Sequence, residues 1–455
     1  MRNRGNSMII AVISLCLLAG LGGCAASEFI RPIDMLIRPP YENARQEQLA
    51  AKLAQLQGEA STAGGRLIFR HPMGGRFRDA VTTQDLDGDG QAEAVVFYSG
   101  FEGALPENPE IRIAVFSLRG GEWGDPLTLQ GDGGAVASLA FPALDAQGRR
   151  GILVCWQKES GGEFFSLYTL KDGNTLEKLL VQNYAALAVC DMNGDGADEV
   201  VFIQAGDAEK RTSPKAVALG YDAVKEQVFL LENDWLNLSP YAAFVGLTPL
   251  PLENGRCALL LDFCRLLASV EKPKMETLLL ALEPEFGKTG ADSLQIWLAE
   301  ADTAREDITL RVKDFDGDGL PEIPAEYELP GSEMTYAGQS GAQPMTLLRW
   351  NRVVQSGVVW GLKPVAEDIL CLTADRWVQL PPELAGRVTI RGTDDGVTRE
   401  LRFFRRDRDG SAGPELFGVT VVLATGELRN AELTERGRDE GIQLDFLLNP
   451  AAEET

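Results

Sequence analysis

The sequence is poor in the residues that commonly build catalytic centres. It contains one histidine, His71, so a histidine-based zinc site or a Ser-His-Asp triad is hard to assemble. It also lacks a complete GxxxxGK(S/T) phosphate-binding motif and a redox CxxC pair. An acid pair for glycoside chemistry cannot be singled out among 67 Asp and Glu residues. The sequence therefore favours a protein without catalytic activity.

Positive charge is scarce as well. The 455-residue chain has 43 Lys and Arg against 67 Asp and Glu, a net charge of −24, and its basic residues form no cluster. Nucleic-acid binding requires such a cluster to neutralise phosphates, so nucleic acid is excluded as a partner. The excess of carboxylates suits divalent cations, basic proteins or solubility alone.

An apolar run at residues 8–21 follows Arg2 and Arg4. The run is short for a transmembrane helix, and small residues follow it, so it predicts an export signal. The signal ends in LGGC at Cys24, which resembles the lipobox of bacterial lipoproteins. The resemblance implies that Cys24 is lipidated, and two acyl chains on it would anchor the protein stably. A plain secretory signal with an incidental cysteine is the alternative.

Cysteine is infrequent in the rest of the chain. Two of the seven cysteines, Cys16 and Cys24, belong to the export segment. The other five are Cys155, Cys190, Cys257, Cys264 and Cys371. Their number is odd and most lie within apolar runs such as ILVCW, so we expect small buried hydrophobic side chains. A disulfide between Cys257 and Cys264 stays open.

A short helix is predicted before the main body of the chain. Within residues 42–56, Leu49, Leu53 and Leu56 recur at helical spacing, with Gln and Lys elsewhere. We expect this apolar face to pack on the folded body. A stalk or a partner-docking helix is the alternative.

From about Gly65 onward, short apolar segments alternate with clusters of Gly, Asp, Asn and Pro, which is typical of strands and turns. Three acidic phrases stand out: DLDGDGQAE at residue 85, DMNGDGADE at 191 and DFDGDGLPE at 314. Apolar runs follow the first two phrases, as in strands buried on both faces. The alternation of Ile308, Leu310 and Val312 predicts a strand before the third.

The acidic phrases belong to a repeat. Each is followed by an apolar hairpin pattern, as in FFSLYTLKDGNTL, and degenerate versions of the turn occur near residues 145 and 254. The turns near residues 85, 145, 191, 254 and 314 give a period of about sixty, which fits a four-stranded propeller blade. We therefore predict a mainly β protein, a β-propeller of about five to seven four-stranded blades. A β-solenoid has a shorter period, and a string of sandwiches would have Pro/Ser-rich linkers between its units.

The predicted organisation has four parts. They are a lipoprotein signal peptide at residues 1–23, a tether with the amphipathic helix at 24–63, the propeller at 64–372, and a small β-rich C-terminal module or last irregular blade at 373–455.

The acidic phrases have the composition of calcium-binding loops. Calcium takes six to eight hard oxygen ligands, and acids at alternate positions of a glycine-rich turn can converge on one ion. An EF-hand is excluded because its closing glutamate stands at the twelfth position and its flanks are helices. The predicted ligands are Asp85, Asp87, Asp89, the Gln91 carbonyl and Glu93 in the first loop, Asp191, Asn193, Asp195 and Glu199 in the second, and Asp314, Asp316, Asp318 and Glu322 in the third.

These nine-residue phrases resemble the calcium loops of FG-GAP and VCBS repeats, the blades of integrin α-like propellers and of many bacterial surface proteins. The resemblance is strong over the loops and extends as a repeat pattern over about residues 65–372. It implies a propeller with structural calcium.

The remaining turns and the tryptophans are weaker signals. The turns near residues 145 and 254 lack ligands, and the turn at Asp407 retains half a set, so we expect a metal-free hairpin there. Seven tryptophans could stack on sugars, although such residues more often pack within or between blades.

Together these features predict a lipid-anchored, calcium-stabilised propeller on the outer, extracytoplasmic face of a bacterial membrane. We expect a binding or scaffold module for a protein or carbohydrate ligand, held to the membrane by its lipid anchor. The alternatives are a polysaccharide-active lyase or hydrolase on the same scaffold, and a role in envelope assembly or sensing. Fold alone does not decide between them.

Overall fold

A computed structural model of the chain describes residues 40–62, 65–102, 110–158, 161–265, 273–284, 292–297, 302–357, 359–371, 376–381, 384, 386–407, 411–424, 427–433 and 445–448. The predicted export signal, the lipidation of Cys24 and the start of the tether lie outside these residues. Within the described part of the chain, no helix has both the length and the apolar character needed to cross a membrane.

The predicted helix is present and packs as its leucine spacing indicates. Helix α1 covers Pro40–Thr62. Leu49 is buried, and Leu53 and Leu56 pack beside it against apolar residues of the first β-sheet. The helix therefore covers the outer face of that sheet.

The strands of the first four sheets pair almost entirely with their sequence neighbours. The first sheet and a small flanking hairpin comprise β1 Gly65–Phe69, β2 Val81–Gln84, β3 Glu93–Glu102, β4 Arg112–Phe116, β5 Leu118–Arg119, β6 Glu122–Trp123 and β7 Leu127–Gln130. The second contains β8 Ala135–Ala140, β9 Ile152–Gln157, β10 Glu163–Lys171 and β11 Thr175–Tyr184. The third contains β12 Ala186–Cys190, β13 Glu199–Gln204, β14 Lys215–Asp222 and β15 Gln227–Trp235. The fourth contains β16 Ala243–Pro251, β17 Cys257–Arg265, β18 Lys274–Pro284 and β19 Asp292–Trp297. All pairings in these sheets are antiparallel.

The last sheet has nine strands, in the order β27-β26-β25-β24-β20-β21-β22-β23-β28. Its strands are β20 Glu322–Tyr336, β21 Gln343–Ser356, β22 Val359–Cys371, β23 Arg376–Gln379, β24 Val388–Asp394, β25 Thr398–Arg406, β26 Ala412–Ala424, β27 Glu427–Leu433 and β28 Asp445–Leu448. β20 to β23 repeat the up-and-down order of the earlier sheets. The rest of the tail joins through a parallel pairing of β24 with β20.

Successive sheets pack face to face, because alternate residues of their middle strands enter different hydrophobic clusters. In β9, Val154 and Trp156 pack toward the first sheet, whereas Leu153 and Cys155 pack toward the third. The same division occurs in β13 and β17, so each of these strands is buried on both faces. This arrangement of four-stranded sheets is that of a β-propeller, and the mainly β propeller prediction is confirmed.

The strand predicted before the third acidic loop is absent. Residues 308–309 form a turn, and an isolated bridge between Lys313 and Glu322 is the pairing found there. Side chains replace the strand ladder: Arg305 Nε donates to the Leu310 carbonyl, and the Val312 amide donates to Asp262 Oδ2. Of the three alternating apolar residues, Leu310 and Val312 are buried in a segment held by a buried ion pair, whereas Ile308 is exposed.

The tail is β-rich, as its sequence predicts. The proposed boundary at residue 372 falls between β22 and β23, which pair with each other. The turn at Asp407 joins β25 to β26 as a hairpin, and the Asp407 amide donates to the Ser411 carbonyl.

The buried cysteines are free thiols. Cys257 and Cys264 lie on the same strand, β17. At about 3.3 Å per residue their Cα atoms are roughly 20 Å apart, well beyond disulfide reach. A disulfide between them is therefore excluded.

Candidate functional site

The three acidic loops occupy equivalent places in their sheets. The first, residues 85–93, joins β2 to β3, the second, residues 191–199, joins β12 to β13, and the third, residues 314–322, leads into β20. Each ends on a glutamate that starts a strand and has at most 2% of its surface exposed. The neighbouring strands distinguish these loops from an EF-hand, whose flanks are helices.

In the first loop, hydrogen bonds fold the backbone around two carboxylates. Asp85 Oδ1 accepts from the Gly88 amide at 2.8 Å and Oδ2 accepts from the Gly90 amide at 3.0 Å. Glu93 Oε2 accepts from the Leu86 amide at 2.8 Å. Gly88 and Gly90 have φ values of 80° and 83°, a region that favours glycine. The DxDGDG pattern is therefore what this turn requires.

The other two loops repeat this framework. Glu199 accepts from the Met192 amide at 2.7 Å, and Glu322 accepts from the Phe315 amide at 2.9 Å. The first aspartate again accepts from two glycine amides: Gly194 and Gly196 donate to Asp191, and Gly317 and Gly319 donate to Asp314. Three stretches of sequence thus encode one local structure.

Carboxylate oxygens converge within the first loop. One oxygen each from Asp85, Asp87 and Glu93 lie within 4.8 Å of one another. Asp89 is not part of this group, and its oxygens accept from the Gln91 amide at 2.7 Å and from Gln91 Nε2 at 3.2 Å. Three of the four predicted carboxylate ligands are therefore brought together.

In the second loop an amide group lies between the acids. Asn193 Nδ2 donates to Glu199 Oε1 at 2.9 Å and to Asp195 Oδ2 at 3.1 Å. Its Oδ1 accepts from the Asp195 amide at 2.8 Å. Because the oxygen and nitrogen of the amide exchange places on rotation, Asn193 can offer oxygen to a cation after turning its side chain.

In the third loop, an arginine lies among the acids. Oxygens of Asp314, Asp316 and Glu322 again lie within 4.8 Å of one another. Arg352 Nη2 lies 2.9 Å from Asp316 Oδ2, 2.7 Å from Asp318 Oδ2 and 2.8 Å from Glu322 Oε1. Arg352 belongs to β21, and sequence analysis missed it.

The first two loops hold their acids at an electrostatic cost. Burial raises the pKa of Glu93 to about 7, and the negative charges of Asp87, Asp89 and Asp85 add to the effect. Burial likewise raises the pKa of Glu199 to about 7, with contributions from the acids of its own loop. A divalent cation at either place would relieve this repulsion.

The first two acidic loops both contact the degenerate turn of the second sheet, which lies between them. The Arg150 amide, beside the degenerate turn of the second sheet, donates to the Leu86 carbonyl of the first loop at 2.9 Å. On its other side, the Ala143 amide donates to Asp198 Oδ2 in the second loop at 2.6 Å, and the Asp198 amide donates to the Ala143 carbonyl at 2.7 Å. The shapes of the first two acidic loops therefore affect how their sheets join the second sheet.

In each of the two degenerate turns, an arginine side chain makes a polar contact. Asp145 Oδ1 accepts from the Gln147 and Arg149 amides, and Arg149 Nε lies 2.5 Å from Asp145 Oδ2. In the turn of the fourth sheet, Arg256 Nε donates to the Met192 carbonyl of the second acidic loop at 3.2 Å.

A cavity of about 320 Å³ lies between the first two sheets. It is lined by Glu110, Ile111, Gln130, Gly131, Asp132, Gly133, Gly134, Gln157, Lys158 and Phe164. Asp132 Oδ2 accepts from Ser166 Oγ and from the Tyr168 hydroxyl, both at 2.7 Å, and Asp132 Oδ1 lies 2.6 Å from Lys178 Nζ. Burial opposes ionisation of Asp132, but these three hydrogen bonds prevail and lower its pKa.

The single histidine and the tryptophans, which the sequence also offers as candidate site residues, lie outside the acidic loops. His71 is exposed, and its Nδ1 lies 3.3 Å from the Arg78 carbonyl. Trp156, Trp350 and Trp377 are at most 1% exposed, whereas Trp235 is 55% exposed. Trp123, at 7% exposed, is also buried in a core cluster, and for these four tryptophans the expectation of packing roles is confirmed.

Neither a protein-family model nor a curated protein sequence matches this chain. Among solved structures, a periplasmic gluconolactonase from Pseudomonas aeruginosa is 12% identical, with a TM-score of 0.29 over 79% of this chain and 89% of that one. A putative 6-phosphogluconolactonase from Bacteroides uniformis is 11% identical, with a TM-score of 0.25 over 81% and 98% of the two chains. The Nup133 β-propeller domain of Vanderwaltozyma polyspora is 10% identical, with a TM-score of 0.24 over 71% and 97%. Similarities this distant assign no activity to this chain.

Proposed function

We propose that this chain is a calcium-stabilised propeller that acts as a non-catalytic binding module on the outer face of a bacterial membrane, anchored through a lipid on Cys24. One observation carries the calcium part of the proposal. Each of the first two acidic loops places several acids around one buried glutamate, Glu93 or Glu199. Among the described residues, no Lys or Arg forms an ion pair with the predicted ligands of these two loops.

The donor atoms suit calcium. They are carboxylate and amide oxygens on a flexible turn, which a hard cation with variable coordination prefers. Asp85, Asp87 and Glu93 would hold the ion in the first loop, and Asp191, Asp195 and Glu199 would hold it in the second. The bound ion supplies positive charge that links the loop to the start of the following strand.

Such an ion would also strengthen the junctions between sheets. The hydrogen bonds from Arg150 to Leu86 and between Ala143 and Asp198 depend on the positions of the two loops. Calcium would therefore act on the propeller as a whole.

The cavity between the first two sheets is the candidate ligand site. Gln130, Gln157 and Lys158 offer polar groups beside the Phe164 ring, a mixture typical of ligand sites. Two acids, Glu110 and Asp132, line the cavity. A general acid would need a raised pKa, whereas that of Asp132 is lowered by its hydrogen bonds.

Calcium is expected to stabilise the chain against heat. With dissociation constants of about 10⁻⁴ to 10⁻³ M, calcium at about 10 mM adds about 1.4 to 2.7 kcal/mol for each occupied loop. Thermal unfolding in calcium and in chelator measures this difference. Asp87→Ala should reduce the calcium-dependent shift, because it removes a ligand of the first loop.

Asp125→Ala is the matched control, since the Asp125 side chain is 88% exposed and lies outside the loops. It should leave the calcium-dependent shift unchanged. Identical unfolding curves in calcium and in chelator would refute the proposed role of the loops.

Binding at the cavity is tested with a screen of glycans and envelope proteins. For a ligand found in this way, Lys158→Ala should weaken binding about tenfold or more, as expected for loss of a charged hydrogen bond. Lys225→Ala is the control, because Lys225 is exposed and paired with Asp222 on another sheet. Turnover of a polysaccharide by the unmodified chain would instead support the enzymatic alternative.

A further inference from the structure

We infer that Arg352 is the resident cation of the third acidic loop, so that calcium occupies the first two loops and not the third. The sequence predicts three equivalent calcium sites, and the surroundings of the third lead to a different assignment. The inference rests on the proposed calcium role of the first two loops.

The guanidinium of Arg352 lies where the acids of the third loop meet. A single nitrogen, Nη2, is within 2.9 Å of oxygens from Asp316, Asp318 and Glu322. The Nε of the same side chain donates to Glu322 Oε1 at 3.1 Å. The Glu322 side chain is fully buried and that of Arg352 is 26% exposed. A calcium ion bound by these oxygens would have to displace the arginine.

The pairing of the strands explains why only the third loop has this cation. Arg352 lies directly opposite Glu322 in the register of β20 and β21. When the registers of β3 with β4 and of β13 with β14 are continued by one residue, Ser117 and Gly220 occupy the corresponding positions. Neither residue carries charge. A side chain could not replace Gly220 without movement of Phe229, because a Cβ at residue 220 would lie 2.7 Å from Phe229 Cζ.

The turn at Asp145 also pairs its carboxylate with an arginine of the chain. Its carboxylate accepts two backbone amides, as the first aspartate of each acidic loop does, and Arg149 supplies the positive charge. An arginine from the chain thus takes the place of a metal in more than one turn.

A tethered arginine has an advantage over a weakly bound ion. It is present at a high effective concentration whatever the calcium concentration outside the cell. The third loop would therefore keep its shape when calcium is removed, while the first two would loosen.

The number of calcium ions bound per chain tests this inference. Equilibrium dialysis of the full chain against radiolabelled calcium should give two ions, and Arg352→Gln should give three, because it frees the acids of the third loop. Arg352→Lys should remain at two, since the charge is retained. Arg149→Gln is the matched control and should also remain at two, because its turn contributes one carboxylate.

A second measurement avoids any change to Arg352. Asp316→Ala should leave the count at two, whereas Asp87→Ala should reduce it to one. A count of three in the unmodified chain, with a loss on Asp316→Ala, would overturn the inference and leave the proposed function standing. No calcium in the unmodified chain and one ion in Arg352→Gln would overturn the proposed calcium role of the first two loops and leave only the assignment of Arg352 as the cation of the third loop standing. No binding in either chain would overturn both.

Discussion

Replacing Arg305 by Met is expected to lower the free energy of unfolding by about 3 to 5 kcal/mol, the usual cost of breaking a buried ion pair. The Arg305 side chain is fully buried, and its Nη2 lies 2.7 Å from Asp262 Oδ1. It also donates to Thr277 Oγ1 and to the carbonyls of Thr303 and Leu310. The substitution leaves the Asp262 carboxylate buried without its guanidinium and removes the guanidinium hydrogen bonds to these acceptors.

The ion pair connects two parts of the chain, so we expect its loss to destabilise more than its immediate surroundings. Asp262 belongs to the fourth sheet, and its second oxygen accepts from the Val312 amide in the segment that leads to the third acidic loop. Chemical denaturation with Arg391→Met as the control measures the effect. The Arg391 side chain is 56% exposed and 3.8 Å from Glu333, so its loss should change stability by less than about 1 kcal/mol.

Combining Arg305→Met with Asp262→Leu should recover part of the loss, because no charge is then left buried alone. A destabilisation by Arg305→Met no larger than that of the control would contradict the role of the pair.

Trp156→Ala is expected to destabilise the chain by about 3 to 5 kcal/mol, the range for deleting a fully buried large side chain. Trp156 has no exposed surface and packs in the cluster shared by the first two sheets. Its Nε1 donates to Ser166 Oγ at 3.1 Å, and the Phe97 ring lies edge-on at 6.4 Å. A Cβ on Gly131 would lie 2.5 Å from Trp156 Cη2, so a glycine at residue 131 leaves the room that this ring needs.

The control for this prediction is Trp235→Ala. Trp235 is 55% exposed, and Lys215 Nζ lies over its ring, 5.2 Å from the ring centroid. Its loss should cost less than about 1 kcal/mol. Calorimetry of the two variants compares the same substitution at a buried and at an exposed site. Equal effects would mean that the interface between the first two sheets does not depend on Trp156.

Much of the propeller could be predicted because local patterns coincide with its repeat. Runs such as ILVCW and VVFI lie in middle strands with both faces buried, and the three acidic phrases lie at the same turn of their sheets. Where the pattern misled, tertiary contacts had replaced a strand ladder. Ile308, Leu310 and Val312 alternate, yet Asp262 and Arg305 hold the backbone of that segment.

The turn and the closing glutamate of each acidic loop could be predicted because their geometry is encoded within nine residues, whereas calcium binding stays a prediction. Glycines with positive φ, an aspartate that accepts two amides and a buried glutamate all belong to one stretch. Arg352 could not be predicted in this way. It lies 30 positions after Glu322, in a strand whose pairing with β20 shifts register between Glu328 and Glu333. Only the folded sheet brings the two residues together.

The central claim is that the first two acidic loops enclose a cation between neighbouring strands. Its most direct test is a crystal structure of the chain grown in calcium, with anomalous difference density recorded at long wavelength. The account predicts one peak among Asp85, Asp87 and Glu93 and a second among Asp191, Asp195 and Glu199. Carboxylates of both loops turned toward solvent, with no peak between them, would contradict it.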